Sequence, residues 1–152
     1  MISRLSGMVL LAVFALAVWN VDAEAQDRYG EQKVVYHINR DGGPDDKYYL
    51  GALRNVQNQI NAVGKDNIDV KVVLHGSGVD LLIHAKDNQK LQSEVTSLKT
   101  QNVTFLVCNN TLEGRGLDPE MDLFEVFEDE IVPSGVAELS YLQQQGYTYI
   151  KP

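Results

Sequence analysis

Asn102-Val103-Thr104-Phe105-Leu106-Val107-Cys108-Asn109-Asn110-Thr111-Leu112 is the stretch on which the fold turns. Apolar and β-favouring residues run straight into the only cysteine of the 152-residue chain, and polar, helix-capping residues follow at once. The pattern predicts a buried strand ending in a thiol, then a turn that opens a helix. In open α/β sheets, ligands gather at the carboxyl ends of strands, so the chemistry is expected here.

Outward from this stretch, strand and helix alternate. Residues 33–39 read as a first strand, apolar on both faces as a strand between two helical layers should be. Asp41-Gly42-Gly43-Pro44-Asp45-Asp46 breaks it, and its acidic residues are suited to capping the next helix. That helix carries Tyr49, Leu53, Val56, Ile60 and Val63 at spacings of three and four, with Gly64 as its C-terminal cap. Residues 68–74 form a second strand, leading into His75-Gly76-Ser77-Gly78. Residues 79–84 fit either a short helical turn or a strand-like excursion. Asp87 is placed to cap a helix running to Thr100, with Leu91, Val95 and Leu98 inward.

Beyond Cys108, Asp118-Pro119 puts proline at the first position of a short helix. The segment 124–132 holds a fourth strand centred on Glu130-Ile131-Val132, unusual for its acidic residues. Ser134 caps a helix whose buried positions are expected to be Val136, Leu139 and Leu142, closed by Gly146; residues 147–150 supply a last strand. Connections of this kind call for a three-layer α/β/α sandwich on a mostly parallel five-stranded sheet. No repeat or low-complexity tract interrupts it, and the length suits a single domain.

The first segment stands apart. Arg4 precedes the apolar run Met8–Val18, and Ala23-Glu24-Ala25 fits a small-x-small cleavage site. This is the pattern of a secretory signal peptide, residues 1–25, cut after Ala25. The run is shorter than the roughly 18–20 residues of a spanning helix, so no stable membrane insertion is expected after cleavage. Residues 26–32 read as a flexible arm, and residues 33–152 as the domain. The expected location is periplasmic or secreted. The formal charge of −8 becomes about −7 on cleavage. Such an acidic chain has no electrostatic footprint for nucleic acid. With one cysteine, no intrachain disulfide can form, which leaves Cys108 buried, paired between chains, or reactive.

If the strands are parallel, His37, His75 and Cys108 lie at or near one sheet edge. A thiol reacts as thiolate, and a helix N-terminus lowers its pKa. Asn109, Asn110 and Thr111 can turn backbone N–H groups to an anionic sulfur, and Arg115 brings a cation close in sequence. His75 is placed to line the cleft, and Gly76 and Gly78 permit close backbone approach to a ligand; His37 fits equally a core histidine. His84 is read as a surface residue. No nucleophile elbow, zinc-protease helix or paired-cysteine metal motif is present.

These residues carry a resemblance. The His75–Gly78 loop after strand two, the strand-Cys108-Asn109-x-Thr111 stretch, and Val132-Pro133-Ser134-Gly135-Val136-Ala137-Glu138-Leu139 with Gln143, Gly146-Tyr147 and Tyr149-Ile150-Lys151-Pro152 resemble the DsrE/DsrF-like proteins, in particular their secreted branch. The resemblance spans residues 33–152. It implies a DsrEFH-like parallel five-stranded α/β/α fold, assembly into trimers or hexamers, and a cysteine that accepts sulfane sulfur as a persulfide; here that cysteine is Cys108. Three functions are therefore expected to compete. The first is a periplasmic sulfur relay on Cys108 that needs no cofactor, with small sulfur species or a partner thiol protein as its counterpart, and His75, Gly76, Gly78, Asn109, Asn110 and Arg115 around the sulfur. The second is a copper or zinc site built from Cys108, His75 and His37. The third is a non-catalytic oligomeric module.

Overall fold

The computed structural model describes residues 28–152, so the signal segment 1–25 and its cut after Ala25 lie outside the described residues. Five strands appear in chain order: β1 (Gln32–Ile38), β2 (Ile68–Leu74), β3 (Thr104–Cys108), β4 (Ile131–Val132) and β5 (Thr148–Ile150). Six α-helices join them: α1 (Lys47–Val63), α2 (Asp80–His84), α3 (Gln89–Lys99), α4 (Asn109–Arg115), α5 (Pro119–Asp122) and α6 (Gly135–Gln144). The sheet order is β4-β3-β2-β1-β5, and every pairing is parallel.

That order decides which helix covers which face. From β1 to β4 the chain steps steadily in one direction, so right-handed crossovers put α1 and α3 on the same face. From β4 it must return across the whole sheet to β5, and the same handedness sends α6 to the opposite face. One face is therefore thick. Tyr49, Leu53, Val56 and Ile60 of α1 and Leu91, Val95 and Leu98 of α3 pack with Val34, Tyr36, Ile38, Val72, Leu74, Phe105 and Val107. The other face is thin: Leu139 and Leu142 of α6 cover only Val35, Val73 and Leu106.

Several expectations are resolved or corrected in detail. Of the two readings open for residues 79–84 the helical one holds: a 3-10 turn (Gly76–Val79) runs into α2, and Leu81 and Leu82 both reach the thick core. The cap of α3 is Asn88 and not Asp87: the Asn88 side chain accepts from the N–H groups of Lys90 and Leu91. Asp46 does not cap α1 through its side chain. Its carboxylate instead accepts from Asn88 Nδ2 at 2.9 Å and lies 2.7 Å from His84 Nδ1, tying the start of α1 to the α2–α3 corner. His84 is accordingly a surface residue. Val136 is exposed at 65% where burial was expected. The phase of α6 is set by Gly135, which makes the buried line Gly135, Leu139 and Leu142 and turns Val136 away. The fourth strand is only two residues long; the acidic run before it is a 3-10 turn (Glu128–Glu130) pinned by Glu130 to Lys99 at 2.8 Å. As predicted, Ser134 caps α6 with its side chain and Pro119 opens α5; Asp118 caps α5 in the same way.

Candidate functional site

Cys108 is the last residue of β3 and the N-cap of α4, so its sulfur sits where a strand hands over to a helix. Its side chain belongs to the thin face, one pleat beyond Leu106 and opposite Val132 of β4. Burial raises the thiol pKa, since a thiolate loses water there. The polar hydrogens of the Gly135 N–H, the Thr111 hydroxyl and the Thr111 and Asn110 N–H groups favour the anion and together outweigh burial, holding Cys108 below the ordinary thiol range. Two helix starts, α4 and α6, thus converge on one sulfur. The residue is 5% exposed, so only a small or well-fitted donor reaches it.

The approach of α6 depends on a missing side chain. A Cβ on Gly135 would lie 3.0 Å from His75 Cβ and 3.1 Å from Cys108 Cβ. Glycine there lets the helix N–H reach the sulfur, and it wedges between the thiol and the imidazole. Thr111 is held by a second contact: its Oγ1 accepts the Gly76 N–H at 3.0 Å, which joins the loop after β2 to the helix after β3.

Along the same rim, His75 follows β2 and His37 is the penultimate residue of β1, within the strand and on the thin face. Their Nε2 atoms are 2.7 Å apart and the rings are stacked, with centroids 4.7 Å apart. On its far side, His37 Nδ1 lies 2.7 Å from the hydroxyl of Tyr149 on β5. Burial, then the Lys151 ammonium, then His75 push the His37 pKa down to about 4. Burial and Lys151 lower His75 as well. Both imidazoles are neutral at pH 7. Lys151 itself donates to Asn39 Oδ1.

The remaining expected residues fall in other roles. Arg115 is paired with Asp80 at 2.6 Å and donates to the Gly76 carbonyl at 3.3 Å, clamping the loop after β2 onto α4. The close approach at Gly78 is to the protein's own backbone: a Cβ there would lie 2.0 Å from the Ile38 carbonyl oxygen. Gly76 has φ +55, in the left-handed region that favours glycine, and so shapes the turn that offers its N–H to Thr111. The Asn109 side chain turns along α4 to Glu113 at 2.8 Å. The Asn110 N–H donates to the Pro133 carbonyl at 3.3 Å and adds only the smallest of the effects that lower the Cys108 thiol pKa. For the metal reading, the Nε2 atoms of His37 and His75 are each other's partners, and no group of three or more His, Cys, Asp or Glu among the described residues is placed to hold an ion.

Gly135, Tyr149 and the Thr111 hydroxyl carry geometry that residue spacing did not single out. A glycine immediately after a capping serine, where nothing in the helix asks for one, was the only local sign of Gly135. Elsewhere, a cleft of about 460 Å³ lined by Glu31, Lys33, Asp66 and Asp69 opens at the amino ends of the strands, the opposite edge from Cys108. Among the described residues no helix is long and apolar enough to cross a membrane.

Comparison with known proteins agrees with this architecture. The family model described as DsrE/DsrF-like family matches residues 33–152. A solved structure of a protein of unknown function, MTH1491 from Methanobacterium thermoautotrophicum, is 31% identical, with a TM-score of 0.67 over 80% of this chain and 100% of that one. The ychN protein from E. coli shares the fold at 18% identity, with a TM-score of 0.62 over 80% of this chain and 99% of that one. No curated protein matches the chain.

Proposed function

The chain belongs to the DsrE/DsrF-like family, and from that premise we propose that it is a sulfur-handling protein which carries sulfane sulfur as a persulfide on Cys108. The observation that carries this reading is the ring of donors around the sulfur. Gly135, Thr111 and Asn110 favour an anion at Cys108 even though the side chain is buried. The same donors suit the thiolate before transfer and the persulfide anion after it.

In the first step the Cys108 thiolate attacks the outer sulfur of a donor R–S–SH. A new S–S bond forms on Cys108, the donor's S–S bond breaks, and R–S⁻ leaves with the bonding pair. The persulfide proton goes to solvent and the leaving thiolate takes one up, so the net products are Cys108–S–S⁻ and R–SH. In the second step a partner thiolate attacks the outer sulfur and releases Cys108 as thiolate. Neither step calls for a cofactor.

On this reading the protein works outside the cytoplasm, in the periplasm, after removal of residues 1–25, and as a homo-oligomer of three or six copies. The signal pattern supports the location, and the family resemblance supports the assembly. The deciding experiment is intact-mass analysis after treatment with polysulfide. A gain of one sulfur atom, located on Cys108 and removed by dithiothreitol, is expected. A thiol that stays unmodified with every sulfane donor overturns the proposal.

A further inference from the structure

The imidazole pair beside Cys108 takes its direction from the phenol at its far end. Tyr149 Oη is 2.7 Å from His37 Nδ1, and His37 Nε2 is 2.7 Å from His75 Nε2. A phenol O–H is a good donor and a poor acceptor relative to an imidazole nitrogen, so Tyr149 donates and His37 Nδ1 accepts. A neutral His37 then carries its proton on Nε2 and donates it to His75 Nε2. His75, with that nitrogen occupied as acceptor, must hold its own proton on Nδ1. Both rings are neutral, as their lowered pKa values require. No hydrogen bond within the described residues uses His75 Nδ1, and no side-chain nitrogen or oxygen among them is both buried and unpartnered. The free N–H is therefore open to an incoming group at the rim, with Gly135 against the other edge of the ring, where Cδ2 lies 3.4 Å from the position of its absent Cβ.

We propose that Tyr149, His37 and His75 form a one-way hydrogen-bond chain whose last N–H, on His75 Nδ1, binds the departing thiolate of the sulfur donor. The inference rests on the sulfur-relay reading of Cys108 and extends it to the leaving group. His75 acts as a neutral hydrogen-bond donor and keeps its proton; the developing negative charge on the leaving sulfur is what it stabilises. Tyr149 and His37 are positioning residues that fix the tautomer, in the way that outer partners orient a working imidazole elsewhere. A Cys–His couple in which the imidazole removes the thiol proton would need a basic nitrogen facing the sulfur. Here the basic nitrogen of His75 faces His37 instead.

The test has two independent arms on the purified full chain and its Tyr149→Phe variant, a change that removes one hydroxyl at a 41% exposed edge position. Imidazole nitrogen chemical shifts report the tautomers directly. Sulfur loading of Cys108 from glutathione persulfide, followed by mass, reports the role. The expected result is His75 protonated at Nδ1 and His37 at Nε2, with Tyr149→Phe giving mixed tautomers and loading slowed about tenfold. Loading that proceeds with His75 protonated at Nε2, or that is unchanged in Tyr149→Phe, overturns the chain and leaves the persulfide reading standing. Correct tautomers with no loading of the wild-type protein overturn the persulfide reading, and the role of His75 with it.

Discussion

On one face of the sheet α1 and α3 press Tyr49, Leu53, Val56, Leu91, Val95 and Leu98 onto Val34, Tyr36, Val72 and Phe105, all at most 3% exposed. On the other, α6 alone covers Val35, Val73 and Leu106, and the rim beyond its first residue is left to Cys108, His75, His37 and Tyr149. The difference follows from chain connectivity. Three right-handed crossovers share the thick face, whereas the thin one holds a single helix on its way back from β4 to β5. The thick face supplies the larger core, and the hydroxyls of its Tyr36 and Tyr49 are bonded to Gln59 and to the Ser77 carbonyl. The thin face leaves its carboxyl edge uncovered, and the N–H at the start of α6 arrives there beside a thiol.

The comparison predicts unequal costs for the same truncation. Leu53→Ala on the thick face should lose about 4 kcal/mol, and Leu139→Ala, at the 6% exposed thin face, about 2 kcal/mol. Denaturant unfolding of the two variants measures this directly; equal losses would erase the distinction between the faces. Gly135→Val comes next. Its side chain meets the Cβ atoms of His75 and Cys108, fixed at the ends of β2 and β3, so about 2 kcal/mol of stability is lost and Cys108 alkylation slows. A variant with wild-type stability and wild-type thiol reactivity would show that α6 does not depend on the glycine.

Acidity probes the rim alone. His37 binds its proton with a pKa of about 4 in the fold against 6.5 when unfolded, so the unfolded chain takes up more protons between those values. Stability is therefore complete above pH 6.5 and falls as the pH drops toward 4, with His75 adding in the same sense. His37→Gln should flatten part of that slope in unfolding curves taken at several pH values. A slope identical to wild type would mean that His37 is not the group titrating. The smallest effect is expected for Thr111→Val. It removes one of the four donors on the sulfur, moves the thiol back toward its ordinary range, and slows iodoacetamide labelling at neutral pH by about threefold. Labelling that keeps the wild-type pH dependence would leave the hydroxyl without a part in activating Cys108.

Much of this architecture is legible along the chain because it depends on local pattern. The spacing of Tyr49, Leu53, Val56, Ile60 and Val63 marks the buried face of α1, and the run from Val103 to Cys108 marks a strand that ends in a thiol. Caps at Asp118 and Ser134 are equally local, since a side chain bonds an N–H two or three residues on. Misreadings occurred where a distant partner decides. Asp46 leaves the role of cap because Asn88 and His84 take its carboxylate. Val136 faces outward because Gly135 has to fit between His75 and Cys108, and nothing within α6 announces that constraint.

Residue order alone settles the alternation of strand and helix, the parallel sheet and the placing of the cysteine at a strand end, since each follows from periodicity and capping over a few neighbouring residues. Tertiary structure alone decides that β5 lies beside β1, that Tyr149 therefore reaches His37 and His37 reaches His75, and that the first N–H of α6 lands on Cys108. Those contacts join positions far apart in the chain, and only the handedness of the crossovers and the close packing at Gly135 bring them together.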